Sequence, residues 1–76
     1  MEKALRYKVG KRIKQIRNEK NISQQDLAAK CNFEKSNLSR LEAGRTDPKL
    51  STLEKVAIGL GVPMYELFMF QKGKSE

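Results

Sequence analysis

Between Cys31 and Gly44 the chain reads CNFEKSNLSRLEAG, and its polar residues are the ones with chemistry to offer. Lys35, Ser36, Asn37, Ser39 and Arg40 follow one another with only Leu38 between them, a run of hydrogen-bond donors. The run does not suit catalysis. The chain has no histidine, no glycine-rich loop that could cradle a phosphate and no carboxylate cluster. Ser23, Ser36, Ser39 and Ser51 all have helix-capping or surface explanations, so no enzyme is expected. A single cysteine excludes an internal disulfide, and with no histidine the usual ligands of structural zinc are missing too. No metal or cofactor is implied. What a row of donors can do is meet acceptors on a partner.

Charge narrows the partner. Sixteen Lys/Arg against nine Asp/Glu give +7 over 76 residues. Residues 1–20 hold eight of the cations and two glutamates, so most of the excess sits at one end. A stripe of that kind suits a polyanion, either nucleic acid or an anionic membrane surface, or is simply a solvated helix face. No apolar run is long enough to span a membrane, and MEKALRYKVGKRIKQIR lacks the apolar core of a secretory signal. A free thiol without an export signal favours a reducing cytosol. Cys31 itself reads either as a small buried hydrophobe or as a reactive thiol, with burial the commoner role.

The elements that must position the donors are helical. Leu5, Val9, Ile13 and Ile16 recur at spacings of four, four and three, which predicts a first helix over about 3–20. Gly10 weakens its interior by about 1 kcal/mol relative to alanine. Asn21 tolerates the left-handed backbone that ends helices. Ser23 with Asp26 resembles a capping box, opening a second helix over about 24–31. Asn32 again tolerates positive φ, and Leu38 with Leu41 defines a third helix over about 35–43 that Gly44 stops. Arg45-Thr46-Asp47-Pro48-Lys49 is a loop. Ser51 and Glu54 form an S-x-x-E box, predicting a fourth helix over about 52–59 with Leu50, Leu53, Val56, Ala57 and Leu60 on or beside its buried face. Gly61 ends it, and Val62-Pro63 starts a fifth helix that MYELFMF carries to about residue 70. A single domain over 1–70 is expected, with 71–76 a disordered tail. A chain of this size has a marginal core, so helical packing helped by self-association is expected.

Two helices joined by three or four residues, one of which turns sharply, form a helix-turn-helix. Counted from Gln24, Leu27 lies at three, Ala28 at four, Cys31 at seven, Phe33 at nine, Leu38 at fourteen and Leu41 at seventeen. Ala28 supplies the small side chain where the helices approach, and Phe33 plugs the turn. Here the sequence resembles the lambda-type repressor superfamily, also called the xenobiotic-response-element (XRE) family. The resemblance runs from Ser23 to Phe68, through an S-Q-x-x-L-A start, an S-R-L-E-x-G end of helix 3 and a P-x-L-x-T-L-x-K-V-A run. It implies an all-α, compact five-helix lambda-repressor-like DNA-binding domain with helices 2 and 3 as the helix-turn-helix, a transcriptional regulator that is usually dimeric. Asn32 stands where the family usually has glycine. Glu34 stands where the family often has Ser or Thr, and it is a poorer N-cap that would repel phosphate.

On that scaffold helix 3 enters the major groove of double-stranded DNA and reads base edges from its N-terminal turns. Lys35 and Ser36 occupy the leading turn. Arg40 can bond guanine bidentately, and Asn37 can read adenine or hold a phosphate. The resemblance gives Gln24 a phosphate grip at the positive end of helix 2. Arg45, just beyond Gly44, and Lys49 are further phosphate candidates. The resemblance also pairs Arg17 with Glu42, fixing helix 1 against helix 3, and Arg17 can touch phosphate as well. Lys8, Arg12 and Lys14 read as a long-range field.

The last segment has more apolar residues than one short helix can bury. Leu67 is expected in the core, with the surplus of Met64, Phe68, Met69 and Phe70 as a homodimer interface. The whole reading is a regulator, acting as a repressor on a palindromic site in a bacterial or phage-infected cytoplasm, with no membrane or small-molecule partner. The alternative is an interaction module, such as the antitoxin of a toxin–antitoxin pair.

Overall fold

In the computed structural model, which describes residues 1–70, four α-helices and one short 3₁₀ helix surround a single core. They are α1 (Lys3–Glu19), α2 (Gln24–Cys31), α3 (Lys35–Glu42), α4 (Leu50–Leu60) and the 3₁₀ helix Met64–Phe68. The tail expected at 71–76 lies outside the described residues. Val9, Ile13 and Ile16 of α1 meet Leu27, Ala28 and Cys31 of α2, Leu38 and Leu41 of α3, and Leu53, Val56, Ala57 and Leu60 of α4, with Leu67 closing the cluster. Phe33 packs half-buried against that core from within the α2–α3 turn.

Each α-helix ends in the same way. Asn21, Asn32, Gly44 and Gly61 all have φ between 57° and 74°. In each case the next residue's N–H donates back to a carbonyl five positions earlier: Ile22 to Arg17, Phe33 to Ala28, Arg45 to Arg40 and Val62 to Ala57. These paired bonds satisfy carbonyls that a helix end would otherwise leave open. Asparagine is tolerated at two of the four because its short polar side chain visits the left-handed region at low cost.

Gly10 has a role that helix propensity alone does not reveal. A Cβ at this position would lie 2.4 Å from the Leu41 carbonyl oxygen and 2.7 Å from that of Glu42. The bare backbone of α1 therefore rests directly on the last turn of α3.

Three expectations are corrected. The fifth helix is a 3₁₀ helix, so the α-helices number four among the described residues. The Glu66 carbonyl, which in an α-helix would accept from residue 70, instead accepts from Arg12 Nε at 2.9 Å and from the Met69 N–H at 3.3 Å. Arg12 thus caps a carbonyl near the end of the 3₁₀ helix. Helix α4 begins at Leu50, with Lys49 as its N-cap and no side-chain cap, so the Ser51–Glu54 box does not form. Extended backbone at Lys49, just after Pro48, lets the Lys49 carbonyl take the Leu53 N–H at 3.0 Å and starts the helix early. Leu50 is 71% exposed, because in this first turn it falls at the edge of the buried face.

Candidate nucleic-acid interface

The donor run forms the outer face of α3. Lys35, Ser36, Asn37, Ser39 and Arg40 are all exposed, while Leu38 and Leu41 point into the core. Glu34 occupies the N-cap position with extended backbone, and its side chain makes no capping bond. Its carbonyl accepts the N–H groups of Asn37 and Leu38. Arg40 Nη2 donates to Asn37 Oδ1 at 2.7 Å, so two of the candidate readers, one turn apart, hold each other. Asn37 also borders a cleft of about 350 Å³ lined by Phe33, Leu41, Thr46, Pro48, Lys49 and Thr52.

Behind this face sits a buried ionic cluster. Arg17 Nε lies 2.7 Å from Glu42 Oε2, and Arg17 Nη2 lies 3.0 Å from Oε1, a two-pronged pair. Arg17 Nη1 donates to the Ile22 carbonyl at 2.9 Å. Gln24 Nε2 donates to Glu42 Oε1 at 2.9 Å. With Arg17 only 7% and Glu42 only 6% exposed, one carboxylate joins the end of α1, the start of α2 and the end of α3. The angle between the two helices of the helix-turn-helix is thus held by side chains as well as by Ala28 and Phe33.

The remaining candidates lie at the rims. Gln24 is half-buried at the first position of α2, where Ser23 Oγ accepts the Asp26 N–H at 3.0 Å. Arg45 stands exposed past Gly44, and Lys49 stands exposed before α4. The Met1 amino group pairs with Asp47 in the loop between them and, through that hydrogen bond, holds the Asp47 carboxyl below its ordinary range.

Arg12 belongs to the fold more than to a diffuse field, because it is paired with Glu66 and Gln15 at 2.9 Å. Near the 3₁₀ helix, Met64 and Phe70 are half-buried against the core, while Phe68 and Met69 are exposed. Tyr65 at 65% and Ile58 of α4 at 72% are more open than either, and both were missing from the expected interface. Ile58 was legible as the α4 residue opposite Val56 and Leu60. Cys31 is buried, its Sγ 3.5 Å from the Lys55 carbonyl, and burial pushes its thiol pKa up. No group of residues that could hold a metal occurs among the described residues, and no helix there is long and apolar enough to cross a membrane.

Comparison with known proteins agrees with this fold. The chain is 50% identical over 54 residues to the immunity repressor protein of Bacillus phage phi105, an overlap of 71% of this chain and 38% of that protein. It is 34% identical over 65 residues to the control protein C.MunI of Mycoplasma sp, spanning 84% of this chain and 88% of that one. Among solved structures, the restriction-modification controller protein C.Esp1396I, a tetramer in complex with its natural 35-base-pair operator, superposes with a TM-score of 0.81 at 36% identity over 88% of each chain. Residues 13–67 match the HTH_3 helix-turn-helix family. The chain belongs to that family.

Proposed function

We propose that this protein is a sequence-specific DNA-binding transcriptional regulator, acting as a repressor, that reads the major groove with α3 as a homodimer on a palindromic site. The observation that carries the reading is the exposed donor face of α3, backed by the buried Arg17–Glu42 pair and Gln24 beside it. A face that is polar, cationic and held rigid from behind suits the reading of base edges without reorganisation on binding. The phage repressor and the operator-bound controller protein support it by likeness.

Lys35, Ser36 and Asn37 meet bases from the leading turn, with Arg40 one turn on. Gln24, Arg45 and Lys49 hold phosphates on either side. Arg17, already engaged by Glu42 and Ile22, acts as the strut between α1 and α3. The dimer forms through Ile58, Tyr65, Phe68 and Met69, with Met64 and Phe70 beneath them, and sets the recognition helices about 34 Å apart.

Selection of bound duplexes from a random pool tests this directly. A palindromic site preferred by about a thousandfold or more over random duplex is expected, with affinity falling steeply as salt rises. Enrichment of no sequence would overturn the proposal.

A further inference from the structure

The cations of α1 divide into two kinds. Arg12 and Arg17 are committed to Glu66 and Glu42. Lys3, Lys11 and Lys14 are exposed and have no ion-pair partner among the described residues. With exposed Tyr7, these lysines fall at positions 3, 7, 11 and 14, spacings of four, four and three, so they line one edge of the helix. Lys11 Nζ stands 5.8 Å from the centre of the Tyr7 ring, which holds that charge on the edge.

The edge has a definite neighbour. Tyr7 and Lys14 flank Gly10 and Arg17 at helical spacings of three and four, and Gly10 and Arg17 are among the α1 residues that touch α3. Tyr7 itself abuts the end of α3, because a Cβ on Gly44 would lie 2.7 Å from the Tyr7 Cα. Arg45 is the next residue. The lysine edge is therefore continuous with the C-terminal rim of α3, where a phosphate contact is already proposed. Lys8, by contrast, lies over Phe70 on the other side of α1.

We infer that this edge of α1 is a second backbone-binding surface, a rail that holds the phosphates flanking the half-site read by α3. Lys14 lies eleven positions beyond Lys3, about 16 Å of helical rise, enough to lie along several consecutive phosphates of one strand, which follow at about 3.4 Å of duplex axis each. The rail carries no sequence information and adds affinity to any duplex. This inference rests on the DNA-binding reading above.

The test uses the full chain with two charge-matched double variants, Lys11→Gln/Lys14→Gln on the rail and Lys30→Gln/Lys55→Gln on the exposed faces of α2 and α4. All four lysines are exposed, so the fold should be unaffected. The rail variant should lower the slope of log affinity against log salt by about 2, weakening the selected site and random duplex by the same factor, while the control lowers it by much less. Neutral methylphosphonates placed just outside the selected half-site should weaken the parent protein about tenfold and leave the rail variant nearly unchanged. Equal losses in the two variants, or a methylphosphonate effect that survives in the rail variant, overturn the rail and leave that edge to an acidic protein surface. If the parent protein has no preferred site, the reading of α3 fails instead, and the salt slopes on random duplex still decide the rail.

Discussion

Single side chains set the angle of the helix-turn-helix. Glu42 is the centre: it accepts two bonds from Arg17 and one from Gln24 while almost wholly buried. Removing one partner of such a pair leaves an unpaired buried charge, so Arg17→Ala should cost about 3–5 kcal/mol of stability in urea unfolding. The Arg17→Ala/Glu42→Ala double variant should lose less than the sum of the two single variants. Purely additive losses would mean that the pair does not act as a unit. Gly10 offers a test in which two principles oppose each other. Helix propensity says Gly10→Ala gains about 1 kcal/mol. The Cβ would, however, meet backbone oxygen at 2.4 Å, and backbone cannot step aside as a flexible side chain can. Overpacking of this kind costs about 1–3 kcal/mol or more, so we expect net destabilisation and a lowered DNA affinity as α1 is pushed from α3. A stabilised Gly10→Ala protein would contradict the close approach.

Among the elements, α3 starts with an unusual residue. Glu34 sits at the N-cap without capping, in front of the helix expected to enter a phosphate-lined groove. Glu34→Ser should stabilise the fold by about 0.5–1 kcal/mol by supplying the missing cap. The same change should raise affinity for every duplex alike by removing an anion, as measured by unfolding and by titration on selected and random DNA. Arg40→Ala should instead relax preference at one base pair by about 1–3 kcal/mol. The phases and ends of α1 to α3 could be read in advance, because apolar spacing reports the buried face and Asn21, Asn32 and Gly44 report the stops. What could not be read lies in contacts between elements. Gly10 meets α3 some thirty residues away, so its local signature is only that of a weak helix former. Arg12 looks like one more cation until the fold brings Glu66 beside it. The Ser51–Glu54 pair matched a capping box in sequence, but the turn at Pro48-Lys49 had already started α4.

At the scale of the molecule, the large exposed apolar residues other than Tyr7 lie on α4 and on or just beyond the 3₁₀ helix, two elements that pack together. Ile58→Glu/Tyr65→Glu should yield a folded monomer by sedimentation. Its affinity for a palindrome should fall by a factor of about 10²–10⁴, the gain that joining two half-sites provides, while its affinity for an isolated half-site stays the same. A dimer that survives both changes would move the interface elsewhere.

The chain has one sulfhydryl, Cys31, shut between α2 and α4 where a Cβ on Gly59 would come within 3.1 Å of it. Because that thiol is covered, a thiol reagent reaches it when the two helices part, and its raised pKa slows the reaction further. The labelling rate is therefore a clock for opening, built into the native protein without any engineered probe. Run with and without operator, that clock would measure how tightly DNA clamps the domain shut.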